Sequence, residues 1–336
     1  MTNAREAILA GAKAARKLQL DLGIEEQVRR GGFARIDVFS AINKLGATLM
    51  FQPLDKLLGA YVADVEPGVL ITTERPLPVQ RFTGAHELGH FFMGHEPSFD
   101  DEKILRRAPF AASGRHNRQE READAFASMF LAPAWLLALN LERQSWLARD
   151  LESPIKVYQL SLRIGTSYSA TCYALERHKA IGKGVAQSLL DVEPKTLKQH
   201  LAAGYEPPNW RSDVWLLTEK DEGTLIEGGR KDMFVVRLRE NSDAGYLWDF
   251  DQLKKAGFAL VADQSEADDR ETIGGKLTRR VTAQSEDRNS GEILLQQFRP
   301  WKPDSPMEQL LLRYDLRGPE QSGFWEPELK RLLQAA

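Results

Sequence analysis

Apolar side chains recur at helical spacing between residues 4 and 30, at Ile8, Leu9, Ala12, Ala15, Leu18 and Leu22, with charges between them. That pattern predicts an amphipathic helix interrupted near Gly23. A second helical stretch runs from Val38 to Leu45, and the short apolar runs ATLMF, GAYVADV and GVLIT, separated by Pro53, Asp55, Pro67 and Gly68, read as three strands of a small sheet. In VQRFTGAHELGHFFMGH the apolar residues return to helical spacing, with Gly94 as a stop. Residues 96–117 form a charged, proline-bearing connection. NRQEREADAFASMFLAP then predicts a long helix with Asn117 as N-cap, acidic residues in its first turns and Pro133 near its end.

Helical pattern continues to about Ala203. From Trp210 the character changes: DVWLL, DMFVVRLR, GFALV, KLTRRVTA, EILLQQF and EQLLLRY alternate with Gly, Asp, Asn and Pro turns, the spacing of an all-β sandwich. The expected organisation is a first domain over 1–150, a helical extension over 151–203, a linker over 204–211 and a β-sandwich over 212–336. At roughly 150 residues per domain, a chain of 336 residues suggests two or three domains rather than one.

Composition narrows the function classes. With 45 basic against 48 acidic side chains the net charge is −3, so the whole molecule has no long-range attraction to nucleic acid or to an anionic membrane. No stretch approaches the about 18 consecutive apolar residues that span a bilayer. The single cysteine, Cys172, forms no internal disulfide, and the first residues lack the apolar core of a secretory signal, which points to the cytoplasm.

The chemistry concentrates in HELGH. His86 and His90 are four residues apart on a predicted helix, so both imidazoles leave one face and reach one zinc ion, while Glu87 lies beside that face as a general base. A catalytic zinc takes a third protein ligand and keeps an open position. The second helix offers Glu120 and Asp124 on a shared face: Glu120 could bind the metal while Asp124 orients a histidine through its free ring N–H. Glu122 points elsewhere on that helix. His95 falls one residue short of the third-histidine position of metzincin sites, where Glu96 stands, and reads as a helix-end histidine. Tyr61 and Tyr168 are candidate oxyanion donors.

RFTGAHELGHFFMGH followed by EREADAFASMFLAP resembles the ImmA/IrrE family of zinc metallo-endopeptidases over about residues 35–150, and with its helical extension over about 35–200. The resemblance implies an α+β zincin-like domain with one Zn2+ on His86, His90 and Glu120, and Glu87 as catalytic base. It further implies limited cleavage of a DNA-binding helix-turn-helix repressor in a stress or mobile-element response. VYQLSLRIGTSYSATCYALERHK places Ser161, Gly165 and Thr171 as in a helix-turn-helix, again as in that family's extension. The would-be recognition helix carries Ser167, Tyr168, Ser169 and Cys172, with basic residues only from Arg177 through His178 and Lys179 to Lys183, so direct DNA binding is not expected. Cys172 reads as a packing thiol.

In the carboxy-terminal part three loops belong together: NSDAGYLW (Asn241, Gly245, Tyr246, Trp248), IGGKL (Gly274, Gly275) and FRPWKP (Arg299, Pro300, Trp301). Loops at one end of a sandwich form a contiguous edge. Their order and content resemble the chagasin family of cysteine-peptidase inhibitors over about 210–320, which implies an immunoglobulin-like fold and a protein partner at these loops. Ser242, Asp243 and Ala244 replace the family's proline and two threonines. Two rivals to the peptidase reading follow: a chagasin-like inhibitor on a metallopeptidase-like scaffold, and a transcription factor.

Overall fold

The computed structural model describes residues 2–55, 57–63, 66–96, 99–101, 118–267, 277–285, 287 and 290–335. They form two compact units, the first comprising Met1–Leu139, Ile164–Gln187 and Pro319–Ala336, the second Asn140–Arg163 and Ser188–Gly318. The expected helical extension is therefore divided between the units.

In the first unit the amino-terminal pattern forms two helices, α1 (Thr2–Asp21) and α2 (Ile24–Gly31), broken at Gly23 with φ +60°. α3 (Val38–Lys44) starts on Asp37, whose side chain accepts from the Ser40 amide at 3.0 Å. The three expected strands are β1 (Thr48–Gln52), β2 (Leu57–Val62) and β3 (Gly68–Thr72); β3 pairs parallel to β1 and antiparallel to β2. α4 (Leu77–Met93) packs on β2 and β3, and β4 (Phe99–Asp101) adds antiparallel to β2.

α5 (Arg118–Leu131) lies against α4 and α1, and α6 (Ala134–Gln144) follows. Asn117, the expected N-cap of α5, lies outside the described residues. Pro133 has no N–H, so the Met129 carbonyl loses its partner one turn ahead. Gln19 of α1 supplies one, its Nε2 donating to Met129 O at 3.2 Å and Phe130 O at 3.1 Å. Arg118–Gln144 is apolar and long enough to cross a membrane by length and composition, yet 61% of its most apolar window is buried within the protein, as in a core helix.

The helices after α6 are α7 (Pro154–Ile164), α8 (Tyr168–Arg177), α9 (Lys183–Leu190) and α10 (Pro194–Ala202). Gly165 between α7 and α8 takes φ +70°, Ser167 caps α8 by accepting from the Ala170 amide, and Thr171 is fully buried.

The second unit is a β-sandwich of two four-stranded sheets. One has the order β5 (Val214–Leu217), β7 (Met233–Glu240), β10 (Leu277–Ser285), β9 (Phe258–Ala267); the other β6 (Leu225–Glu227), β12 (Glu308–Asp315), β11 (Ser290–Phe298), β8 (Leu247–Asp249). Between them Phe234, Val236, Leu238 and Val281 meet Ile293, Leu295, Leu310 and Leu312 in one buried cluster. The period-two alternation of strands places Leu294 outward, 41% exposed, between inward Ile293 and Leu295. α11 (Asp251–Lys255) leads into β9.

β5 is an edge strand, and α7 closes its free side. Tyr158 Oη accepts from the Val214 amide at 3.1 Å, Gln159 donates to Val214 O and accepts from the Leu216 amide, both at 2.8 Å, and Arg163 donates to Leu216 O at 2.9 Å. Pairing an edge with side chains removes a template for misassembly. The expected linker is tied down similarly: Lys198 of α10 donates to the carbonyls of Trp210 and Arg211 and pairs with Asp213 at 2.8 Å.

The sandwich expected over 212–336 ends at Gly318, a correction to the sequence reading. The chain then rejoins the first unit, where β13 (Gly323–Phe324) pairs antiparallel with β1 and is followed by α12 (Glu326–Ala335). The first sheet thus has the order β13-β1-β3-β2-β4. Gln80 of α4 holds this return through Glu320, its Oε1 accepting from the Glu320 amide at 2.8 Å and its Nε2 donating to the carbonyl at 3.3 Å. Two residues of pairing carry too little periodicity to show in a sequence.

Candidate metal centre

His86, Glu87 and His90 lie on α4 and are 1%, 0% and 0% exposed. α5 brings Glu120 and Asp124 to the same place. His86 Nε2 and His90 Nε2 are 3.0 Å apart, Glu120 Oε2 is 3.5 Å from the first and Oε1 3.6 Å from the second. Asp124 Oδ1 lies 3.1 Å from His86 Nδ1. Among the described residues His86, His90 and Glu120 form the one group of metal-ligating side chains whose donor atoms all fall within 4.8 Å of one another.

This donor set fits zinc by a test of spacing. Four ligands about 2.0–2.1 Å from a zinc ion at tetrahedral angles are about 3.3 Å from one another. The nearest-atom separations of 3.0, 3.5 and 3.6 Å bracket that value, the two histidines meeting different oxygens of Glu120. The donor types agree, since two imidazole nitrogens and a carboxylate are ordinary zinc ligands. Burial, then the neighbouring His86, pushes His90 down to about 3, which keeps its ring neutral and its lone pair free for a metal.

Glu87 is walled in by β2. A Cβ on Gly59 would stand 3.0 Å from Glu87 Oε1, 2.9 Å from the Leu70 carbonyl and 2.5 Å from Thr83 Cγ2. Glycine here is a matter of space for the carboxylate, since the strand conformation is ordinary. Gly59→Ala is expected to fold with a lowered melting temperature and to cut any hydrolytic rate by up to about 10²-fold through displacement of Glu87, with zinc content unchanged. Metal analysis beside kinetics checks it.

Two residues set aside in the sequence reading join the centre. His95 Nδ1 lies 3.0 Å from His90 Nδ1, and His95 Nε2 lies 3.0 Å from Glu122 Oε2. The cause is Gly94, which ends α4 with φ +67° and turns the chain so that the His95 amide bonds to His90 O at 3.0 Å. His95 is a helix-end histidine that folds back on His90. The signal was the M-G-H ending itself, because a glycine C-cap reverses the residue after it.

Tyr61 is buried on β2 with its ring 5.5 Å from that of Phe91, and Tyr168 shares a side-chain hydrogen bond with Cys172. Burial pushes the Cys172 thiol up to about 12, so it packs rather than reacts. On α8 the basic residues nearest the turn face inward: Arg177 is packed against Met129, burial lowering its pKa to about 10, and His178 Nε2 is 2.9 Å from Ala132 O.

At one end of the sandwich two of the three expected loops lie side by side. Arg299 Nε donates to Ala244 O at 3.1 Å and its guanidinium stacks 4.6 Å over the Tyr246 ring. Trp301 covers Gly245, where a Cβ would stand 2.6 Å from the indole, and is 72% exposed. Asn241 Nδ2 donates to Gln297 Oε1 at 2.9 Å. Trp248 is instead a core residue, 5% exposed, its indole donating to Arg239 O at 2.7 Å. Pro300 sits in the turn between Arg299 and Trp301. Gly274 and Gly275 lie outside the described residues.

Comparison with known proteins finds two separate matches along the chain. Residues 42–176 match the family model described as IrrE N-terminal-like domain, Peptidase_M78, and residues 229–315 match that of the chagasin family peptidase inhibitor I42. No curated protein matches the sequence. Similar solved structures include the cysteine protease inhibitor EhICP2 from Entamoeba histolytica, at 22% identity and TM-score 0.29, covering 32% of this chain and 100% of that one. Amebosin has 20% identity and TM-score 0.26 over 31% of this chain and 97% of its own. PbICP-C, solved in complex with falcipain-2, has 12% identity and TM-score 0.21 over 33% and 97%. The chain thus carries one region similar to the IrrE N-terminal-like domain and another similar to the chagasin family of peptidase inhibitors.

Proposed function

We propose that this protein is a zinc-dependent endopeptidase of the cytoplasm that cuts a DNA-binding helix-turn-helix repressor in a stress or mobile-element response, its sandwich serving as a partner-binding domain. The observation that supports the peptidase reading is the meeting of His86, His90 and Glu120 with Glu87 beside them on α4. When bound there, zinc supplies Lewis acidity that polarises a peptide carbonyl and lowers the pKa of water. Glu87 takes the proton from the water that attacks the carbonyl carbon and returns it to the departing amide nitrogen. The Asp124 carboxylate, its Oδ1 3.1 Å from His86 Nδ1, favours the tautomer with the hydrogen on that nitrogen and the Nε2 lone pair toward the ligand cluster.

The deciding experiment compares new protein amino termini in cells expressing the parent or Glu87→Gln, before and after stress. A cut made only by the parent, in a helix-turn-helix repressor, supports the reading and identifies the target. Identical termini under every condition would remove proteolysis as the function.

The exposed Trp301 beside the Tyr246–Arg299 stack favours a second reading, inhibition of a papain-type cysteine peptidase by the loop edge. Inhibition that survives Glu87→Gln would establish it. Trp301→Ala is then expected to weaken binding by about 30-fold or more, as truncation of an interfacial anchor does. Because Trp301 is exposed, stability should move by less than about 0.5 kcal/mol. A titration of the peptidase paired with a urea melt tests both.

A further inference from the structure

His90 belongs to a chain of side chains that runs away from the ligand cluster. After the 3.0 Å steps from His90 to His95 and from His95 to Glu122, Glu122 Oε1 accepts from Arg118 Nε at 2.7 Å. His95 and Glu122 are both buried, 8% and 7% exposed.

The partners admit one consistent assignment of protons. With Nε2 of His90 turned to His86 and Glu120 as a lone-pair donor, the ring hydrogen sits on Nδ1. It donates to His95 Nδ1, which makes that atom an acceptor and leaves the His95 hydrogen on Nε2. That hydrogen points at the Glu122 carboxylate.

We propose that His95 and Glu122 are positioning residues for His90: Glu122, anchored by Arg118, holds the ring and tautomer of His95, and His95 holds the ring and tautomer of His90. The inference rests on reading His86, His90 and Glu120 as a metal centre. The two histidine ligands are then supported unequally. His86 has a carboxylate directly behind it, 3.1 Å away at Asp124, whereas His90 reaches one through a second imidazole. Outer partners of this kind orient the ligand ring and raise its basicity.

The test uses the full chain, stripped of metal and titrated with zinc against a chromophoric chelator, with the cobalt(II)-loaded form read by visible absorption. His95→Phe keeps a ring but no nitrogen; it is expected to weaken zinc binding by about 10–100-fold and to shift the cobalt bands. Glu122→Gln keeps an acceptor oxygen without the charge and should lose less. Since Glu122 acts through His95, the double variant should bind no more weakly than His95→Phe alone. Thermal melts of the metal-free proteins separate this from a folding defect, and if His95→Phe does not fold, Glu122→Gln carries the same readouts. Parent-like zinc affinity and cobalt bands in folded His95→Phe, or in Glu122→Gln where it stands alone, would overturn the proposal, as would additive losses in the double variant. A parent that fails to bind zinc stoichiometrically would overturn the metal-centre reading itself, a result distinct from loss of the relay.

Discussion

Glu87→Gln is expected to retain one zinc ion per chain and to lose peptide hydrolysis by about 10²–10⁴-fold, the usual contribution of a positioned general base. The separation follows from geometry. Glu87 is one residue from His86 on α4, so its carboxylate lies beside the His86–His90 face, close against Gly59 of β2. Glutamine fills the same space but accepts no proton from water at neutral pH. Metal content by atomic emission and turnover on a cleavable protein substrate are the paired measurements. A variant that cleaves as fast as the parent would remove Glu87 from the mechanism, and one that loses its zinc would make it a structural residue.

Asp221→Ala is expected to cost the second unit about 3–5 kcal/mol, the range for breaking a buried ion pair from one side. Arg163 and Asp221 meet at 2.8 Å with side chains 4% and 2% exposed. Asp221 Oδ1 also accepts from Gln144 Nε2 at 2.8 Å, and Oδ2 from the Thr218 amide at 2.9 Å. Without the carboxylate the guanidinium stays buried among the backbone and side-chain oxygens of Gln159, the Leu216 carbonyl and the Trp146 ring, none of which carries a countercharge. Urea unfolding followed by tryptophan fluorescence reads the loss. Replacing both partners with apolar residues, Arg163→Met with Asp221→Leu, should recover most of it, because the penalty lies in the stranded charge. A single variant as stable as the parent would show that water reaches Arg163.

The parts legible beforehand were those with local periodicity. Alternation and turn residues located β1, β2 and β3 and the main strands of the sandwich, and helical spacing located α4 and α5. Fold edges were not legible: β13 is two residues long, and the α7 side chains that close β5 lie some fifty residues ahead of it in sequence. Of the candidate residues, His86, Glu87, His90, Glu120 and Asp124 were visible because a helix maps i and i+4 onto one face whatever surrounds it. His95 and Glu122 fall off those faces. Glu122 is about 200° around α5 from Glu120, at 3.6 residues per turn, and still serves the centre because His95 comes to meet it.

The sequence by itself therefore determined the local elements and the ligand-bearing helix faces, since backbone geometry converts short-range spacing directly into direction. Only the tertiary structure decided which atoms meet across elements: Asp124 behind His86, His95 and Glu122 behind His90, Gly59 against Glu87, Gln80 on the returning chain. Those meetings depend on the crossing of α4 with α5, the seat of α4 on the sheet and the reversal at Gly94. Packing of whole elements sets the first two, which no spacing within one element encodes, while the reversal at Gly94 is local and packing decides only what it meets.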